Sequence, residues 1–107
     1  MIYNPQNDKI LSAIIYQIIE VADPDKIILF GSRSIDKQTK DSDYDVCVLK
    51  KNIRNRRNFL HRIRRHLDVF APVDVIVNTP AQFEKLKEKW FYIYYDIHKF
   101  GRIVYER

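Results

Sequence analysis

Three aspartates carry the strongest chemical signal in this sequence. Asp43 and Asp45 stand one residue apart in "DYDVCVL", and Asp74 stands near the start of "VDVIV". Both segments read as strands, yet acidic side chains fit a pleated, half-buried surface poorly. If the two strands are neighbours, the three carboxylates converge, which is costly unless a cation neutralises them. A hard dication such as Mg²⁺ is the natural occupant, held by a few carboxylates and by substrate phosphates. Upstream, Gly31-Ser32 follows the apolar run "KIILF" directly. Glycine lets a backbone approach a ligand closely, and N–H groups at a helix start favour phosphate. Arg33 adds a planar fork of donors suited to phosphate oxygens. A phosphate cradle beside a two-metal carboxylate cluster is the equipment of phosphoryl or nucleotidyl transfer.

The elements that must position these groups alternate between helices and strands. Asn7 or Asp8 can cap a first helix, whose Ile10, Leu11, Ile14, Ile15, Ile18 and Ile19 recur at helical spacing. That helix is expected to stop near Val21, because Pro24 disfavours helical geometry at Asp23. "KIILF" (residues 26–30) is a buried strand, and residues 43–49 form a second. In the second, Asp43, Asp45, Cys47 and Leu49 share one face and Tyr44, Val46 and Val48 the other. The two aspartates then project side by side, roughly 7 Å apart along the strand. A helix over residues 53–67 carries Phe59, Leu60, Ile63 and Leu67 inward, and residues 73–77 form the third strand. Thr79-Pro80 opens a last helix, with Phe83, Leu86, Trp90, Ile93, Tyr94 and Ile97 inward. Gly101 closes it before a short strand, "RIVYE". The pattern predicts an α/β (α+β) sandwich around a small sheet.

At 107 residues the chain is read as one domain, residues 1–107, with a single core. No apolar run approaches the roughly 20 residues that span a bilayer, and the N-terminus lacks a signal-peptide layout, so a cytoplasmic, non-membrane protein is expected. The single cysteine, Cys47, excludes an internal disulfide and a Cys-based zinc site. The net charge of +5 is local: residues 50–66 hold eight of the 19 Lys and Arg and no acid, while the other eleven are outnumbered by 14 acidic residues. This segment is either a solvated helix face or a patch for an acidic partner or RNA.

The ordered set Gly31, Ser32, Arg33, Asp43, Asp45 and Asp74, with ten residues between Ser32 and Asp43, resembles the DNA polymerase beta-like nucleotidyltransferases. "GSRS" and "SDYDVCVL" in so short a chain look like the minimal nucleotidyltransferase branch, the MntA-type antitoxins. The resemblance runs from the first helix through "VDVIV" and on to "HKFGRIVYE". It implies a nucleotidyltransferase fold, a small mixed sheet flanked by helices. It also implies ATP as substrate, with Gly31 and Ser32 at its phosphates and Arg33 beside them. Asp43, Asp45 and Asp74 would hold two Mg²⁺ ions, and Asp74 would help activate an attacking hydroxyl. The partner implied is a HEPN-domain toxin, an RNase, modified with AMP on a tyrosine. A catalytically idle antitoxin acting by contact, or transfer to RNA or a small molecule, are the alternatives. One departure is visible, since Ile35 and Asp36 stand where many members have Arg-Gly.

The remaining residues read more plainly. Ser34, Asp41 and Ser42 suit turns and caps, and Cys47 suits packing. Arg56 to His61 fits the Arg-x4-His spacing of HEPN RNases themselves, but three strand signals argue against an all-helical fold. His61, His66 and His98 show no metal-ligand spacing with Cys47. "WFYIYY" (residues 90–95) holds more aromatics than one helical face buries, so Phe91, Tyr92 and Tyr95 suggest an interface or edge packing, and self-association is left open.

Overall fold

The computed structural model describes residues 8–107. In chain order the elements are α1 (Lys9–Ala22), β1 (Lys26–Phe30), a 3₁₀ turn (Ser32–Ser34), β2 (Tyr44–Leu49) and α2 (Arg56–His66). Then follow β3 (Val73–Asn78), α3 (Pro80–Leu86), α4 (Ile93–Phe100) and β4 (Arg102–Glu106). The four strands form one mixed sheet in the order β3-β2-β1-β4. β1 runs antiparallel to β2 and to β4, and β2 runs parallel to β3 through the α2 crossover. The expected sandwich of helices around a small mixed sheet is therefore the fold.

Each boundary has a local cause. The Asp8 side chain caps α1 by accepting from Leu11 N at 3.0 Å; Asn7, the other candidate, lies outside the described residues. Asp23, at φ 46° and ψ 58°, takes the left-handed C-terminal position, and its N–H closes on Ile19 O. The helix thus ends at Ala22, one residue beyond the expected Val21, and buried Pro24 follows it. Asn55 and Thr79 cap α2 and α3 in the same way, with Pro80 at the first turn of α3.

The alternation of β2 divides the core. Tyr44, Val46 and Val48 face α1 and α2, where they meet Ile14, Ile18, Phe59 and Ile63. Cys47 and Leu49 face the opposite side, against Phe83 of α3 and Ile97 of α4. Each fully buried aliphatic side chain contributes about 1.5–3 kcal/mol, so most of the apolar stabilisation lies on the α1/α2 side. Cys47 is fully buried and burial pushes its thiol up to about 12, which makes it a packing residue.

One expected element is corrected. Apolar spacing predicts a single helix from Pro80 to Ile97, whereas the chain forms two. The Lys87 N–H closes α3 on Phe83 O, and Lys89 and Tyr92 donate to Leu86 and Lys89 carbonyls in an intervening turn. The turn resets the helical phase, so residues on either side of it no longer share one face. Trp90 and Ile93 are consequently 77% and 48% exposed, where burial was expected. Phe83, Tyr94 and Ile97 do face inward. Gly101 ends α4, as expected, because any Cβ there would lie 2.3 Å from Ile97 O and 2.7 Å from an Ile28 methyl. No helix among the described residues is long and apolar enough to cross a membrane.

Candidate active site

Parallel pairing of β2 and β3 places Asp45 directly opposite Asp74. Antiparallel pairing of β1 and β2 places Phe30, the residue before Gly31, opposite Asp45 on its other side. Two strand registers thus bring the glycine turn, Asp45 and Asp74 together in a row across the sheet. Asp43 sits just ahead of β2, in the exposed approach to it.

The electrostatics of the row centre on Asp45. Its carboxyl is raised from the ordinary 3.8 to about 6, first by burial, then by the negative charges of Asp74 and Asp43 and a hydrogen bond with Asp74. A group that keeps its proton this high is one whose surroundings resist bare negative charge. Among the described residues no three His, Cys, Asp or Glu side chains are drawn into a tight metal-binding group. Asp45 and Asp74 meet, while Asp43 contributes charge from farther out.

Gly31 is shaped by the same carboxylate. It has φ 75° and ψ −159°, a conformation that side chains disfavour. A Cβ on it would lie 2.2 Å from Asp45 Oδ2, inside any permissible contact. Asp45 therefore occupies the space that a side chain at position 31 would need. The turn itself is pinned, since Ser34 donates from both N and Oγ to Gly31 O at 3.1 and 2.8 Å. Ile35 N and Lys37 N both donate to Ser32 O. Ser34 is buried and acts as the turn residue expected of it, and Thr39, Asp41 and Ser42 form a second small turn.

Arg33 has a structural engagement that its position in the motif did not reveal. Its Nε and Nη2 donate to Ser42 O at 3.2 and 2.8 Å, and its guanidinium stacks 3.9 Å from the centre of the Tyr44 ring. The Tyr44 hydroxyl in turn donates to both carboxylate oxygens of Asp8 at 3.0 Å. A chain from the α1 cap through Tyr44 to Arg33 thus holds the long 35–43 loop beside the acids. Asp36 and Arg102 tie the same loop to β4 through an ion pair at 2.9 Å. Neither the Asp8–Tyr44 bond nor the Asp36–Arg102 pair carried a signal in the sequence, because each contact spans at least 36 positions.

Beside the Gly31 turn lies a groove of about 510 Å³, lined by Phe30, Ile35, Ile93, Asp96 and Phe100 with Gly31 and Ser34. Ile35, one of the two departures from the family pattern, is thus part of an exposed apolar wall. The histidines stand elsewhere. His66 pairs with Glu20 at 2.7 Å, and His98 packs edge-on against Phe83.

A four-stranded mixed sheet in the order β3-β2-β1-β4, flanked by helices, is the nucleotidyltransferase fold, and here it carries a Gly-Ser turn after β1, Asp45 in β2 and Asp74 opposite it. The chain belongs to the family described as Polymerase beta, Nucleotidyltransferase, which matches residues 6–107. Among curated proteins there is no significant match. In fold the chain is similar to a candidate nucleotidyltransferase from Sulfolobus solfataricus, with a TM-score of 0.67, 20% identity, 92% of this chain and 82% of that one. It is also similar to a chain of a toxin–antitoxin structure with AMP-PNP, with a TM-score of 0.55, 19% identity, 90% of this chain and 73% of that one.

Proposed function

We propose that the protein is a Mg²⁺-dependent nucleotidyltransferase that moves AMP from ATP to a tyrosine hydroxyl of a partner toxin of the HEPN class. It would act as the antitoxin of that pair. The observation that carries this reading is the Asp45 carboxyl, seated against Gly31 and opposite Asp74. Surroundings that retain a proton to about pH 6 also favour a cation, and the donors are the hard oxygens that Mg²⁺ prefers. Asp45 and Asp74, with Asp43 joining them, would hold the metal. When bound, it would neutralise charge on the phosphates and on the oxygens of the displacement.

In this scheme the turn of exposed Gly31 and half-buried Ser32 receives the phosphates beside the Asp45 carboxylate. Asp74 accepts the proton of the incoming hydroxyl. The hydroxyl oxygen forms a bond to the α-phosphorus, the bond to the bridging oxygen breaks, and pyrophosphate leaves with that electron pair. Arg33 keeps the 35–43 loop in place. The similarity to a chain of a toxin–antitoxin structure with AMP-PNP supports an adenine nucleotide as substrate and a toxin as partner.

Incubation with α-labelled ATP, Mg²⁺ and the product of the adjacent gene tests the reading. Label is expected on a tyrosine of that product and is lost with Asp45→Ala. Label on RNA or a small molecule instead would overturn the choice of acceptor. No label anywhere, with toxicity still blocked by the Asp43→Ala/Asp45→Ala double variant, would leave neutralisation by contact. The engagement of Arg33 with loop carbonyls is the observation that favours this second reading.

A further inference from the structure

Helix α2 and the residues leading into it carry charge that neither the fold nor the transfer reading uses. Residues 50–66 hold eight Lys and Arg and no acid. Two of the eight are engaged with the end of α1, where Lys50 Nζ donates to Asp23 O at 2.8 Å and Arg62 Nη2 to Val21 O at 3.0 Å. The other six are Lys51, Arg54, Arg56, Arg57, Arg64 and Arg65. All are exposed, and their side chains have no ion pair or hydrogen bond among the described residues. Helix stability does not call for them. Arg56 and Arg57 stand in the first turn of α2, which has no acid and where the helix dipole disfavours cations.

Three of these arginines border a groove of about 500 Å³ at the β3 edge of the sheet. Arg56, Arg57 and Arg64 line it with Leu60, and Arg64 stands about 12 Å along the helix axis from Arg56. Tyr94 lines it from the face on which α3 and α4 pack. Val75 and Val77 are buried beneath, so the strand backbone is covered and the floor is apolar. The Tyr94 ring is held in place. Its hydroxyl accepts from Asn78 Nδ2 at 3.0 Å, and it packs edge-on against Phe83 with ring centres 6.0 Å apart.

We infer that this groove binds a single strand of nucleic acid, with its backbone along Arg56, Arg57 and Arg64 and a base against Tyr94. A positive groove beside an aromatic ring is the combination that holds such strands, phosphates on the cations and bases on the ring. Guanidinium groups favour phosphate through their planar fork of donors. An acidic protein segment is the poorer match. Protein interfaces centre on apolar or aromatic anchors, and the large apolar side chains of α2, Phe59 and Ile63, are buried inward. A duplex also fits less well, because its bases are already stacked and do not reach Tyr94. The groove shares no lining residue with the one beside Gly31. Binding is measured without ATP or Mg²⁺, so it stands or fails independently of the transfer reading.

The probe is a fluorescent oligouridylate of about ten nucleotides, read by anisotropy across a series of salt concentrations. Three phosphate contacts predict a slope of about −2 for log affinity against log salt. Arg56→Gln/Arg64→Gln should weaken binding about tenfold and bring the slope to about −0.7. Tyr94→Leu should weaken it about fivefold or more with the slope unchanged, and Tyr94→Phe should bind like the unaltered protein. Because Tyr94 also packs against Phe83, a control without any variant is an abasic strand of equal length. It should bind the unaltered protein about fivefold more weakly or worse. Equal or tighter binding of the abasic strand, or of a duplex of the same length, would overturn the proposal. So would an unchanged salt slope in the arginine variant. Displacement of the probe by an acidic peptide of equal charge, at lower concentration than by unlabelled oligouridylate, would overturn it as well.

Discussion

The two faces of the sheet are built for different work. Among the described residues, the α1/α2 face joins fifteen buried residues in one apolar cluster, whereas the α3/α4 face joins five. Both are served by the same strands, because alternation sends Tyr44, Val46 and Val48 one way and Asp45, Cys47 and Leu49 the other. The thickly packed face has little room for a ligand and holds the strands in register. The thin face is covered by two short helices that leave the row Gly31, Asp45 and Asp74 open. Under the proposed transfer, stability and chemistry are separated by a single layer of backbone, and substitutions on the two faces should have opposite signatures.

The sharpest test of that separation is Asp45→Asn. Transfer should fall by about 10³-fold, equivalent to about 4 kcal/mol in the transition state, while the fold is retained. Labelled-ATP turnover read beside circular dichroism checks both halves. The opposite signature belongs to Ile14→Ala. Loss of that fully buried side chain should cost about 3 kcal/mol in denaturant unfolding, with turnover of the remaining folded protein unchanged. If Ile14→Ala lowered turnover per folded molecule by as much as Asp45→Asn, the two faces would not be separable.

Gly31→Ala lies where the faces meet and should carry a mixed signature. Its Cβ would collide with the Asp45 carboxylate in a conformation that side chains disfavour, so a stability loss of about 2 kcal/mol is expected. Turnover should fall with it, because Asp45 must move. A variant that kept full turnover would show that Asp45 need not sit against the turn.

The smallest expected effect has the reverse sign. Asp45 takes up its proton near pH 6 when folded and near 3.8 in its ordinary state, so the folded protein binds the extra proton between them. Stability in a chelating buffer should therefore fall as pH rises through that window. Asp45→Asn, which carries no charge, should be more stable than the unaltered protein at pH 7 by about 1 kcal/mol, a value discounted for solvent screening. The gain should vanish at pH 4, and parallel melts at the two pH values measure it. An equal gain at both would mean that charge at Asp45 is not what opposes folding.

Much of the fold was legible before any coordinates. The helix caps at Asp8 and Thr79, the strands at β1, β2 and β3 and the closing strand after Gly101 follow from short-range chemistry, in which neighbours along the chain decide the outcome. The two faces of β2 followed from period-two alternation alone. The long helix from Pro80 failed because apolar spacing continues across the turn at residues 87–92 and does not reveal where backbone bonding changes phase. Trp90 and Ile93 were misplaced by that one error. The engagement of Arg33 was out of reach for a different reason. A guanidinium suits phosphate and carbonyl oxygens equally, and the sequence does not say that the carbonyl of Ser42 and the Tyr44 ring would come to it.

By itself, the sequence determined which residue types were available and on which side of their own strand they lie. It set the Gly-Ser turn, the Asp-x-Asp spacing and the arginine-rich helix, because these depend only on local geometry and charge. Tertiary structure alone decided that β2 and β3 pair in parallel with Asp45 opposite Asp74, and that the Asp45 carboxylate fills the space beside Gly31. It also decided that three arginines of α2 and the Tyr94 ring border a single groove. The physical reason is the same in each case. Strand order and register are set by the burial of whole faces against α1 and α2, a sum over residues far apart in the chain that no short segment contains.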